Sequence, residues 1–199
     1  MTDPLITYEA PTWNQIHKML LSQSEKICQT PYKPDIIVAI AQGGTIPMRI
    51  LTDILNPPQT TTIQIELYTS IAHPNTQPTL KQPLTVPVND KKILLVDDIS
   101  DSGQTLNLAK QHLTEKGATE IKTATLYAKP TTQTPPNYAE KTTTNWVVFP
   151  WEIKETLQNI LKKHKKDDIP AINNEFTKLI KAGMPNHLLK HVLKTLPEL

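Results

Sequence analysis

The sequence predicts an α/β fold: a mainly parallel twisted sheet flanked by helices, with a C-terminal helical appendage. Three observations carry that expectation. Short β-branched runs recur without polar alternation, stretches of helical period lie between them, and after Trp151 only the helical pattern continues. Continuous apolar strands are those buried on both faces, and their alternation with helices argues for a parallel sheet. The expected organisation is a domain of residues 1–152 and a helical extension of residues 153–199. A chain of 199 residues accommodates one domain of the usual ~100–200 residues with such an appendage.

Thr12 and Gln15 form a capping box before a helix whose apolar residues Trp13, Ile16, Leu20, Ile27 and Cys28 fall near helical spacing. That helix should cover one face of the sheet, with Cys28 a buried, reduced thiol. The run DIIVAIA, 35–41, is bounded by Pro34 and Gly43 and reads as a buried strand; Pro47 then opens the helix PMRILTDIL at its first position. TTIQIELY, 61–68, alternates Ile63, Ile65 and Leu67 with polar neighbours. KKILLVDDI, 91–99, is a second buried run, and QTLNLAKQHLTEKG is a helix stopped by Gly117. EIKTATLYAK and NWVVF supply further strands. Two polar stretches, 69–90 and 130–144, exceed the ~12–15 residues usual for loops in compact domains and read as lids. The tail holds EIKETLQNILKKHKK and then two short helices separated by AGMP.

A formal charge of +2 argues for neither a nucleic-acid nor a membrane partner. Cys28 is the sole cysteine, so no internal disulfide forms. No basic-then-apolar segment begins the chain and no apolar run approaches the ~18 residues of a membrane span, so the expectation is a cytoplasmic protein.

Chemistry concentrates in VDDISDSGQT, 96–105. Open α/β sheets bind ligands beyond the carboxyl ends of their strands, where strand order reverses. Successive N–H groups in this turn, with the positive end of the following helix, make a cradle for phosphate, and Ser102 and Thr105 add hydroxyl donors. Asp97, Asp98 and Asp101 cannot bind the same phosphate. They must face ribose hydroxyls, a magnesium ion or a proton to be moved. The turn therefore suits a sugar bearing a phosphate.

ILLVDDISDSGQT resembles the phosphoribosyl pyrophosphate (PRPP) signature of type I phosphoribosyltransferases: a hydrophobic strand, two acids, two further residues, an acid, then Ser or Thr, Gly, any residue and Thr. The resemblance implies the type I phosphoribosyltransferase fold. It further implies that Asp97 and Asp98 hold the ribose 2′ and 3′ hydroxyls, that Ser102, Gly103, Gln104 and Thr105 bind the 5′-phosphate, and that Asp101 acts near the purine N7 as general base or acid. AIAQGGTIP, 39–47, resembles the family's pyrophosphate loop, giving Gln42, Gly43 and Gly44 that role. The position before the glycine pair is often basic in relatives and here is Gln42. Arg49 is the only arginine of the chain, so Mg2+, lysines and N–H groups must offset the pyrophosphate charge.

LYAKP, 126–130, with NWVVFPWE, 145–152, is similar to the purine-salvage branch that handles 6-oxopurines. Lys129 would then donate to the purine O6, Trp146 would stack on the ring, and the Val147 backbone would meet the edge carrying the 2-substituent. An ammonium donor favours a carbonyl at C6 and disfavours the amino group of adenine. Glu152 matches an acid that reaches a second magnesium ion, so Asp97, Asp98 and Glu152 are the metal candidates and Mg2+ the cofactor. The family's flexible loop corresponds to 69–83, with Tyr68 and Thr69 at its stem.

The reading is a purine phosphoribosyltransferase acting on PRPP and a purine base, as a homodimer or homotetramer. The rival is a PRPP- or nucleotide-sensing regulator of the same fold. Lys162, Lys163, Lys165 and Lys166 are its only support as a nucleic-acid surface. No aromatic residue interleaves them and Asp167 and Asp168 follow at once, so a solvated helix end is the expectation.

Overall fold

The computed structural model describes residues 6–70, 73–164 and 168–196. The chain divides into two compact units, one of residues 17–143 and the other of the segment through Ile16 together with the chain from Thr144.

The first unit is the sheet domain. Its strands are β2 (Ile36–Ala41), β3 (Gln59–Ser70), β4 (His73–Gln82), β5 (Lys92–Ser100), β6 (Glu120–Ala128) and β7 (Tyr138–Thr142), numbered after a short β1 in the other unit. Their order is β4-β3-β2-β5-β6-β7, parallel throughout except for the antiparallel β3–β4 pair. The mainly parallel α/β sheet expected from the sequence is thus present. Helix α3 (Gln104–Glu115) seats Leu106, Ala109 and Leu113 on Ile36, Val38, Ile40, Ile93 and Leu95. Those strand residues are alternate ones, which is why both buried runs lack polar interruption: Ile37, Ala39, Leu94 and Val96 face the other side and are equally buried.

Helix α2 (Thr45–Leu55) packs on β2 and β5. It begins two residues before Pro47, which lies in the first turn and not at the first position. First-turn N–H groups have no intrahelical acceptor, so a proline there costs no hydrogen bond. Helix α1 (Trp13–Cys28) opens with the expected capping box: the Thr12 N–H donates to Gln15 Oε1 (2.7 Å) and the Gln15 N–H to Thr12 Oγ1 (3.3 Å). Leu20 and Ile27 are buried as expected, but Cys28 is exposed. The buried stripe is Ile16, Leu20, Gln23 and Ile27, and position 28 lies about 100° around the helix from 27. Gln23 holds the stripe together by donating from Nε2 to the carbonyls of Thr125 (2.8 Å) and Tyr138 (3.1 Å) on β6 and β7.

Each long polar stretch contains a strand and is irregular in part, at 83–90 and 130–137. Residues 73–82 form β4, whose backbone pairs with β3; residues 71–72 lie outside the described residues. Pro78 is tolerated because an edge strand needs hydrogen-bonding partners on one side only. In the second stretch, residues 138–142 form the parallel edge strand β7.

The other unit contains β1 (Tyr8–Glu9), β8 (Trp146–Val147), α4 (Ile153–Lys163), α5 (Ile169–Lys181) and α6 (Asn186–Leu193). The strand expected at NWVVF is therefore short, and it pairs in parallel with β1 and not in the main sheet. Val148, Ile153, Leu157, Ile160, Leu179, Met184 and Leu189 form this unit's core with Ala10. Gly183, at φ +115°, ends α5 within AGMP; a side chain there would stand 2.9 Å from the Ala10 carbonyl. Tyr8 donates its hydroxyl to Glu175, which also accepts from Lys178 Nζ (2.7 Å). The tail helices are thereby tied to the N-terminal strand. Among the described residues no helix is long and apolar enough to cross a membrane.

Candidate active site

The chain leaves β2 to build α2, β3 and β4 on one side, then returns to β5 on the other side of β2 and builds outward to β7. Beyond the carboxyl ends of β2 and β5 lies the crevice where strand order reverses, the place where open α/β sheets bind ligands. Two of the three sequence motifs leave these two strands.

Gly43 and Gly44 follow β2 and touch the end of β5. A Cβ on Gly44 would stand 2.3 Å from the Val96 carbonyl oxygen and 2.8 Å from that of Ile40. A Cβ on Gly43 would stand 2.2 Å from Asp98 Oδ2 and 2.5 Å from its Cγ. The glycine pair is needed for space, since Gly44 has an ordinary helical φ of −68°. Gln42 is exposed, and its carbonyl accepts from the Thr45 N–H (3.1 Å) and hydroxyl (2.6 Å). The Ala41–Gln42 peptide is cis. The pyrophosphate-loop candidates and the paired acids therefore share one wall.

Asp97 and Asp98 are each 8% exposed. The Asp98 N–H donates to Asp97 Oδ1 at 3.0 Å. Burial above all, reinforced by the neighbouring charge of Asp98, holds the Asp97 carboxyl well above the usual carboxylate range, and the Asp98 N–H offsets only part of this. A cation or a hydroxyl donor arriving beside Asp97 would favour its ionised form again.

Past Ser100 the chain turns through Asp101 and Ser102, both exposed, to Gly103, which precedes α3 at φ +83°. That left-handed conformation favours glycine, and a Cβ would also strike Thr132 Oγ1 at 2.6 Å. The first intrahelical bond is from the Asn107 N–H to the Gly103 carbonyl (2.9 Å). The N–H groups of Gln104, Thr105 and Leu106 consequently belong to the helix end that attracts anions. The Gln104 N–H makes only a long contact, 3.4 Å, to Ser102 Oγ. Backbone donors, two hydroxyls and the exposed Asp101 are thus grouped at one strand exit.

Lys129 follows β6, the parallel neighbour of β5, and is half-buried; its N–H donates to the Ser100 carbonyl at 2.8 Å. The sheet domain thus brings together Gln42, Gly43, Gly44, Asp97, Asp98, the turn 101–105 and Lys129. Trp146, Val147 and Glu152 belong to the other unit.

There, the Trp146 N–H donates to the Thr7 carbonyl and the Val148 N–H to that of Glu9, both at 2.8 Å. Strand alternation sends the main-chain groups of Val147 to the opposite edge of β8, which no strand pairs among the described residues. Trp146 is 54% exposed and lines a cavity of about 190 Å³ with Tyr8, Thr156, Asn159 and Ile160. Glu152 reaches back to accept from the Phe149 N–H at 3.0 Å, and the Phe149 ring stacks on Trp151 at 4.8 Å between centroids. Sequence reasoning missed Ser100 and Thr132, whose hydroxyls lie 2.7 Å apart. The one signal was Ser100 itself, a buried hydroxyl at the end of an otherwise apolar and acidic run.

The family model described as the phosphoribosyl transferase domain matches residues 12–156. The chain is 29% identical over 192 residues to a hypoxanthine-guanine phosphoribosyltransferase of Schizosaccharomyces pombe, a match covering 77% of this chain and 92% of the relative. It is 31% identical over 144 residues to a xanthine-guanine phosphoribosyltransferase of Nitratidesulfovibrio vulgaris, covering 71% of this chain and 82% of the relative. The crystal structure of a purine phosphoribosyltransferase from Pyrococcus horikoshii Ot3 is similar with a TM-score of 0.65 at 34% identity, covering 72% of this chain and 93% of that one. With a glycine pair packed on paired acids at the switch point and a family match across most of its length, the chain belongs to the phosphoribosyl transferase domain family.

Proposed function

We propose that the protein is a purine-salvage phosphoribosyltransferase, moving the phosphoribosyl group of PRPP to N9 of a 6-oxopurine (hypoxanthine, guanine or xanthine) and releasing pyrophosphate. The observation that supports this reading is the close approach of Gly43 to Asp98, which brings the glycine-pair loop after β2 against the paired acids at the end of β5. The names of the relatives support the 6-oxopurine class.

In this reading the turn 102–105 holds the 5′-phosphate by N–H groups and hydroxyls, and Asp97 and Asp98 accept from the ribose hydroxyls. Gln42, Gly43 and Gly44 present backbone to the pyrophosphate. Holding both reactants in line supplies much of the rate, since the transition state has cationic character at the ribose. Asp101, exposed at the strand exit, manages the N7 proton of the purine. Lys129 donates to O6, Trp146 stacks on the base, and the outward edge of Val147 reads the 2-substituent.

Mg2+ fits this donor set. Two carboxylates stand together, and among the described residues no group of three His, Cys, Asp or Glu side chains could hold a metal. Magnesium commonly takes one or two carboxylates and completes its shell with water and substrate oxygens. Asp97 and Asp98 would hold it with the substrate, Glu152 would reach a second Mg2+ through water, and the metal would neutralise charge on the leaving pyrophosphate. The functional division is a catalytic domain of residues 1–152 and an extension of 153–199, in a cytoplasmic homodimer or homotetramer.

The test is a turnover panel of the purified protein with PRPP, Mg2+ and each of hypoxanthine, guanine, xanthine and adenine, following nucleotide by absorbance. Turnover of one or more 6-oxopurines with adenine inert is expected. Measurable PRPP binding without turnover of any base would overturn the assignment.

A further inference from the structure

The turn that is read as binding the 5′-phosphate has little to hold it from within. Asp101 and Ser102 are exposed, and the Ser102 Oγ contact to the Gln104 N–H is long, at 3.4 Å. Its support comes from a strap of residues 129–134, which runs into the stretch 130–144 expected from the sequence to be a lid. The Lys129 N–H donates to the Ser100 carbonyl (2.8 Å) and the Gln133 N–H to the Ser102 carbonyl (2.9 Å). Between these two bonds the Ser100 and Thr132 hydroxyls meet at 2.7 Å, and Ser100 Oγ also lies 3.3 Å from the Thr134 carbonyl. Ser100 is 2% exposed and Thr132 half-buried, and the 2.7 Å contact between them is shorter than the 3.3–3.4 Å contacts that either hydroxyl makes with the Thr134 backbone.

The consequence for the turn follows from peptide planarity. In a trans peptide the C=O and the next N–H point in opposite directions. Fixing the Ser100 carbonyl toward the strap directs the Asp101 N–H away from it, and fixing the Ser102 carbonyl does the same for the Gly103 N–H. Both donors are thereby turned to the side opposite the strap, as a phosphate cradle requires. The hydroxyl pair sets where the strap lies. Gly103 has no side chain to hold the two segments apart, since its Cα approaches Thr132 and Thr134 too closely for a Cβ.

We propose that Ser100 and Thr132 are positioning residues for PRPP: a hydroxyl clasp, buried on its Ser100 side, that presets the phosphate turn without touching substrate. The proposal rests on the assignment of 102–105 as the phosphate site. The test is to measure PRPP affinity by calorimetry, and kcat and KM for both substrates, in Thr132→Val, Ser100→Ala, the double variant and Thr132→Ser. Loss of one such bond is expected to raise Kd and KM for PRPP about 3- to 10-fold, with kcat at saturating PRPP within about twofold. The double variant should be no weaker than the worse single one, because the two hydroxyls act as one unit. Thr132→Ser should restore affinity. A merely structural role would lower Tm while leaving the KM for PRPP unmoved, and that result would overturn the clasp. Ser102→Ala separates the two levels. If it weakens PRPP binding while Thr132→Val does not, the clasp fails and the phosphate turn stands. If neither weakens it, the turn assignment fails and the clasp with it.

Discussion

Alanine at Gly43 and alanine at Gly44 differ by one position and should fail in different ways. At Gly43 the new methyl meets the Asp98 carboxylate first, at 2.2 Å from Oδ2, 2.5 Å from Cγ and 2.7 Å from Oδ1. Ordinary contact begins at 3.4 Å, so the carboxylate has to retreat by about 1 Å. A side chain can do that by rotating, and the fold loses little. A displacement of about 1 Å in a group that aligns substrate is worth about 100-fold in rate. At Gly44 the methyl meets the Val96 carbonyl at 2.3 Å and the Ile40 carbonyl at 2.8 Å, both backbone of adjacent central strands. Neither can rotate away, so β2 and β5 must part. Overpacking of this kind costs about 1–3 kcal/mol, or a fall of about 3–10 °C in Tm for a chain of this size. The assays are kcat/KM for PRPP and thermal unfolding of both variants. Gly43→Ala should keep Tm within about 2 °C of wild type while kcat/KM collapses. A Gly43→Ala protein with kcat/KM within twofold of wild type would refute the placement of Asp98 at the reacting sugar.

Asp101→Asn should lower kcat by about 10²- to 10⁴-fold, the usual worth of a positioned general acid or base, while PRPP binding by calorimetry stays the same. Lys129→Met should reduce kcat/KM for the 6-oxopurines by about 10- to 100-fold, as expected for a charged hydrogen bond, and narrow the gap to adenine in the turnover panel. His112 accepts from the Leu84 N–H at 3.2 Å, and burial, then Lys116, lower its pKa from 6.5 against the opposing pull of Glu115. The unfolded chain takes up this proton before the folded one does, so the stabilisation is complete above pH 6.5 and is lost as pH falls through the lower folded value. The slope of Tm against pH just below 6.5 should accordingly flatten in His112→Leu.

How much of this was legible in the sequence depends on where each residue's signal comes from. β2 and β5 are central strands, buried on both faces, and IIVAIA and ILLV carry that environment openly. β4 and β7 lie at the two edges of the sheet, where pairing is carried by backbone and one flank stays solvated. A sequence such as HPNTQPTLKQ therefore shows no apolar period, although its chain forms a strand. β1 and β8 are two residues each, too short for any period to register. The polar components of the core were invisible for a related reason. Gln23 sits in an apolar stripe because two strand carbonyls need a donor, and Ser100 because a hydroxyl 32 positions away meets it. Such partners are created by the topology. The motif proposed to bind PRPP stands out in the sequence because its parts are local: acids, glycine and hydroxyls all fall within one strand exit and one helix start.

That locality also explains how the fold tolerates its acids. Asp97 extends the apolar run Ile93–Val96 and is as deeply placed as a core residue, so ionising it without a partner opposes folding. An apolar residue there would remove that cost. The acids stand at the strand end whose neighbour β2 exits into the glycine pair 43–44, at the crevice beyond the carboxyl ends of β2 and β5. A hydroxyl or cation entering that crevice relieves the burial penalty on the folded protein and has no comparable partner in the unfolded chain. Ligand binding and stability are then linked by mass action, about 2.7 kcal/mol at a hundredfold excess over Kd. The acids therefore weaken the empty protein where they strengthen the loaded one, and the difference adds to the affinity for substrate.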